Sequence, residues 1–195
     1  MRRESTRGYL RWMSIPFLAG CVAGAAWADV STDQDAETGL RSWTWSHQGV
    51  SIELVQRLPD QTRAFFLGRG FSAEDADRIG RACVFQTIFR NGGTRTVEYD
   101  LDDWSLGHGS ERSALRTREV WDREWESQGI DQPARIAFRW SLLPTMQRFE
   151  PGDYNWGMTS FGLPPGAWFD LSLVMEIGGE RVTGEIPAVV CAADR

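Results

Sequence analysis

The chain has 195 residues, 42% of them hydrophobic, with 10 tryptophans, two histidines and a formal net charge of −6. That length suits one ordinary domain with a sizeable core behind a short leader. The acidic balance, carried against 21 basic residues that are all arginine, disfavours nucleic acid and anionic lipid as partners, and the scarcity of histidine restricts acid–base and metal chemistry.

Arg2, Arg3, Arg7 and Arg11 precede an apolar run from Trp12 to Ala25 that closes in Ala26-Trp27-Ala28. This is the positive, apolar and small-residue layout of a secretory signal, assigned to residues 1–28. The run is shorter than the roughly 20 residues a spanning helix needs, and no later stretch approaches that length, so no transmembrane span is expected. Leu18-Ala19-Gly20-Cys21 also fits a lipobox, in which Cys21 is acylated and becomes the new N-terminus. The leader therefore has two readings. Cleavage after Ala28 gives a periplasmic or secreted protein, and cleavage before Cys21 gives a lipoprotein of the outer leaflet held by a lipid anchor. The leader's four arginines and one glutamate carry +3, so residues 29–195 carry −9.

Residues 29–42 are polar and read as a flexible lead-in, and 43–195 as a single domain. Short strands are predicted at 43–47 and 52–58. Pro59 suits a first helical position and opens a helix over 59–70, and Ser72 with Asp75 three residues later forms a capping box for another over 72–83. Phe85, Thr87 and Phe89 then alternate along 83–90, and Asn91-Gly92-Gly93 predicts a turn into a returning strand with Val97, Tyr99 and Leu101 on one face. A helix over 110–128 places Trp121 and Trp125 four apart on one side and stops at Gly129. Ile136, Phe138, Trp140 and Leu142 alternate with Arg135, Ala137, Arg139 and Ser141, which predicts a strand over 135–143. A weaker strand falls at 154–161. The clearest signal is last: Phe169, Leu171, Leu173, Met175 and Ile177 alternate with mostly polar neighbours, Gly178-Gly179 turns the chain, and 181–190 returns with Pro187 marking an edge or bulge. About seven short strands in hairpins around one core predict a mainly β protein, an immunoglobulin-like antiparallel β-sandwich with short helical insertions.

Once Cys21 is removed or acylated, Cys83 and Cys191 form an even pair in a disulfide-permissive compartment, and a structural bridge between them is expected. Three functional readings follow. Trp121, Trp125 and Trp168, with Arg118 and Arg123, would make an aromatic and arginine-rich surface, because these residue types dominate contact hot spots. The leading reading is thus a non-enzymatic periplasmic accessory or binding protein that presents this surface to an envelope protein partner. A rival uses the matched spacings Trp45-x-His47 and Trp156-x-Met158, whose imidazole and thioether ligands beside indoles suit copper. The other rival is a hydrolase centred on His108 in Leu106-Gly107-His108-Gly109-Ser110, with Asp102 or Asp103 as orienting acid; it lacks a nucleophile elbow or an oxyanion-hole pattern.

Overall fold

The computed structural model describes residues 28–194, so residues 1–27 of the leader, Cys21 among them, lie outside the described residues. In chain order the elements are β1 (Asp29–Gln34), β2 (Arg41–His47), β3 (Val50–Gln56), α1 (Pro59–Leu67), α2 (Ala73–Gly80), β4 (Val84–Asn91) and β5 (Val97–Asp100). After a 3-10 turn at Leu101–Asp103 come β6 (Ser105–His108), β7 (Glu111–Ala114), α3 (Arg118–Ser127), α4 (Gln132–Ser141), β8 (Met146–Phe149), β9 (Tyr154–Ser160), β10 (Trp168–Ile177) and β11 (Glu180–Val190).

The strands build two antiparallel sheets. Sheet A has the order β1-β2-β3-β4-β9. Sheet B is organised on β10, which pairs along its length with β11 on one side. On its other side β10 meets β5 near one end and β6 near the other, with β8 outside β5 and β7 outside β6. The 3-10 turn interrupts what would be one continuous partner strand, and the Trp104 indole N–H crosses the gap to donate to the Val174 carbonyl at 2.9 Å. A side chain there satisfies an acceptor that would otherwise be orphaned in the sheet interior.

Alternation decides which faces meet. Trp43, Trp45, Ile52, Leu54, Phe85 and Phe89 of sheet A join Tyr99, Phe149, Phe169, Leu171, Leu173 and Met175 of sheet B in one buried cluster, as period-two patterning requires of strands with one covered face. Trp45 lies so close to β11 that a Cβ added at Gly184 would sit 2.5 Å from its indole nitrogen. A second apolar cluster lies on the outward face of sheet A. There Val84 of β4 and Met158 of β9 are covered by Phe66, Phe71, Ile79, Trp121, Trp125 and Phe138 from the helices. The helical layer caps that end of the sheet. Ser42, Thr44, Ser51, Glu53, Gln86 and Ile88 on the same face stay half-buried, and Arg90, Tyr154 and Trp156 are exposed.

Most sequence expectations are met. Ser72 caps α2 by accepting from the Asp75 N–H at 3.1 Å, the β10–β11 hairpin turns at Gly178-Gly179, and its register slips opposite Phe169 and Leu171 around Pro187. Four expectations are corrected. First, β4 and β5 do not pair: β4 lies between β3 and β9, and β5 between β10 and β8. The Asn91-Gly92-Gly93 segment carries the chain from one sheet to the other instead. Buried Asn91 organises the crossing, donating through its side-chain amide to the carbonyls of Arg95 (2.8 Å) and Phe149 (3.3 Å) and accepting from the Gly93 N–H (3.1 Å).

Second, 135–143 is not a strand but the helix α4 and its exit, with Pro133 in the first turn. Ala134, Phe138 and Leu142, four apart, face the helical cluster, whereas Ile136 and Trp140 point outward at 48% and 83% exposure. The local alternation loses to the four-residue spacing because Phe138 packs on Trp121 and Trp125 at ring distances of 5.6 and 5.8 Å. Third, 110–128 is divided: Glu111–Ala114 is a short edge strand, and the helix begins at Arg118. Fourth, within the lead-in at 29–42, Asp29–Gln34 forms β1 along the edge of sheet A with all six residues exposed.

Candidate functional site

The expected disulfide is present. Cys83 and Cys191, with Cα atoms 5.2 Å apart, tie the start of β4 in sheet A to the chain just beyond β11 in sheet B. The remaining sequence-selected residues do not assemble as expected. Trp121 and Trp125 are fully buried and stacked on each other at 5.0 Å. The Arg116 guanidinium lies 3.8 Å from the Trp121 ring centre and that of Arg78 lies 5.1 Å from Trp125, while both arginines pair with Glu124. The tryptophan pair of this helix is therefore an internal stack rather than a contact surface, and the arginines on it are Arg116 and Arg78 rather than Arg118 and Arg123. Arg118 pairs with Glu119 at 2.9 Å, and Arg123 is exposed. Trp168, at 50% exposure, begins β10 in the other sheet, away from α3.

The four copper-reading residues are divided by a sheet. Pairing runs Trp45 to Ile52 to Phe89 to Asn155 across sheet A, so Trp45 and His47 share the inward face, while Trp156 and Met158 lie opposite Ile88 and Gln86 on the outward face. His47 and Met158 do not belong to one ligand set. The hydrolase residues are also dispersed. His108 Nδ1 lies 2.6 Å from the Trp168 carbonyl oxygen, as the donor in that tautomer. Asp103 faces Arg181 at 3.9 Å, and Asp102 has its backbone N–H on the Asp100 carboxylate. Among the described residues, neither aspartate orients the imidazole.

One arrangement was only partly visible in the sequence. Because β9 continues sheet A, Tyr154 and Trp156 fall two residues apart on its outward face, directly across from Arg90 and Ile88 of β4. They are 67% and 63% exposed. Exposed aromatic rings side by side on a sheet are unusual, because burying a large ring is normally worth more than any other use of it. Beside them runs a groove of about 370 Å³ lined by Ile88, Arg90, Asn91, Gly92, Gly152, Asp153, Tyr154 and Trp156. Arg90 pairs with Glu53 at 3.2 Å, and the Asp153 carboxylate accepts a hydrogen bond from the Glu150 N–H at 2.8 Å.

The end of α4 adjoins this strand. Leu142 bridges to Met158 in parallel, and the Leu143 N–H donates to the Met158 carbonyl at 2.9 Å. The approach is so close that a Cβ at Gly157 would lie 2.5 Å from the Leu143 nitrogen. Two residues before each member of that bridge stands an exposed tryptophan, Trp140 and Trp156. The site can stack flat apolar surface and offer polar groups at its rim. Tyr154, Ile88 and Arg90 escaped sequence reasoning; the alternation of Tyr154, Trp156 and Met158 was the available signal, and it could not say which of the three the helices would cover.

No protein-family model, no curated protein and no solved structure matches this chain.

Proposed function

We propose that this chain is an exported, non-catalytic binding protein, in which an immunoglobulin-like sandwich serves as a rigid support and the uncovered face of sheet A receives the partner. The observation that carries the reading is the pair of solvent-facing rings, Tyr154 and Trp156, on one strand face. Rigid aromatic side chains lose little conformational entropy on contact and dominate binding energy. Two further features support it. The secretory layout of residues 1–28 and the Cys83–Cys191 bridge both suit an oxidising space outside the cytoplasm. The rings also sit on a strand rather than a loop, which holds a contact surface more precisely.

The test is a photoreactive phenylalanine at position 156 in the producing cell, with position 185 on β11 as the control. Adducts at 156 well above those at 185 are expected, whatever the class of the captured molecule. Equal yields at the two positions would remove the reading.

A further inference from the structure

We infer that the molecule received by this face is a neutral glycan chain, whose sugar rings stack on Tyr154 and Trp156; the inference rests on reading that face as a binding surface. Three properties of the face lead to a carbohydrate.

The first is shape. Residues 154 and 156 stand about 7 Å apart along the strand, and both rings line an open groove on the sheet surface. Such a track suits an extended chain of flat rings, each presenting an apolar C–H face. The negative face of an indole or phenol attracts those C–H groups while it removes apolar area from water.

The second is the chemistry of the surroundings. Across sheet A the same face carries Ser42, Thr44, Ser46, Ser51 and Gln86. Hydroxyls and amides both donate and accept, which matches the hydroxyl rim of a sugar whose edge faces the sheet while its flat side covers a ring. The half-buried aliphatic side chains of that face are Ile88, directly across from Trp156, and Val55, two strands from β9.

The third is charge. Next to the rings the ionic groups are Arg90, already paired with Glu53, and Asp153, already held by a backbone N–H. Asp29 and Asp33 lie on β1, three strands from β4, and the −9 carried by residues 29–195 opposes a polyanion. An uncharged polyhydroxylated chain meets none of these penalties.

The experiment is native gel electrophoresis of the purified protein in gels containing soluble neutral polysaccharides (a β-glucan, a xylan, a mannan and an α-glucan) or a polyuronate, followed by fluorescence titration with oligosaccharides of any that retard it. Retardation by at least one neutral polymer is expected, insensitive to salt, with Trp156→Ala and Tyr154→Ala each weakening binding at least tenfold. Trp156→Phe should retain most of the affinity, and Trp168→Ala all of it. No retardation by any neutral polymer, binding to the polyuronate alone, or binding indifferent to both ring deletions overturns the inference. Should the photoreactive probe at 156 capture a protein while every glycan fails, the face remains a binding surface and only its ligand class is wrong.

Discussion

Single side chains hold this structure at places where the backbone does something that strands alone do not. Asn91 is buried and satisfies three backbone groups of the crossing between the sheets. Replacing it with alanine leaves those groups unpaired away from water, at a cost of about 2–3 kcal/mol. Urea denaturation of Asn91→Ala should show a lowered midpoint with an unchanged slope. Gly184 is small for a different reason: the Trp45 indole lies against its backbone. Gly184→Ala overpacks this contact and should lose about 1–3 kcal/mol, with a shifted tryptophan emission if Trp45 is displaced. A wild-type melting temperature in Gly184→Ala would show that β11 can move away without penalty. At this scale the sequence was informative about chemistry but not about address. The Asn91-Gly92-Gly93 segment predicts a hairpin that the structure replaces with a sheet-to-sheet crossing; both use the same residues, and the distant Phe149 carbonyl distinguishes them.

Among the elements, α3 and α4 act as a unit. Their buried rings stack inward, and Glu119 at the head of α3 accepts from the Thr145 hydroxyl while pairing with Arg118 and Arg139. Burial pushes the Glu119 carboxyl up, but the hydrogen bonds from Thr145 and Arg118 outweigh it and hold the group below the ordinary glutamate value of 4.5. A depressed carboxylate stabilises the fold above its unfolded-state pKa, and that contribution is lost as pH falls through the folded value. The melting temperature should therefore drop as pH falls below about 4.5, and Glu119→Gln, already lower at neutral pH, should lose part of this acid sensitivity. Parallel acid profiles for the two proteins would exclude Glu119 as a source. Strands β2, β3, β9, β10 and β11 were legible because one face of each is apolar at period two. The helix α4 was not, because Ile136, Phe138, Trp140 and Leu142 satisfy period two while Ala134, Phe138 and Leu142 satisfy the helical spacing.

For the whole molecule the informative bond is Cys83–Cys191, which spans 108 residues and joins the two sheets near one end. A loop of that size constrains the unfolded chain by about 4.7 kcal/mol in the chain-entropy model. Reduction, or Cys83→Ala with Cys191→Ala, should lower the urea midpoint by a corresponding amount without changing the fold's circular dichroism. Unaltered stability on reduction would mean that the sheets are held by their apolar cluster alone. From the sequence by itself came the pairing of these cysteines, the two-faced strands and the cap of α2. Tertiary structure alone decided which strands are neighbours, that the helices cover Val84 and Met158, and that Trp121 and Trp125 are enclosed while Tyr154 and Trp156 remain in solvent. The reason is physical: periodicity records which side of a segment is apolar, a local property, whereas what lies against that side depends on contacts between residues far apart in the chain.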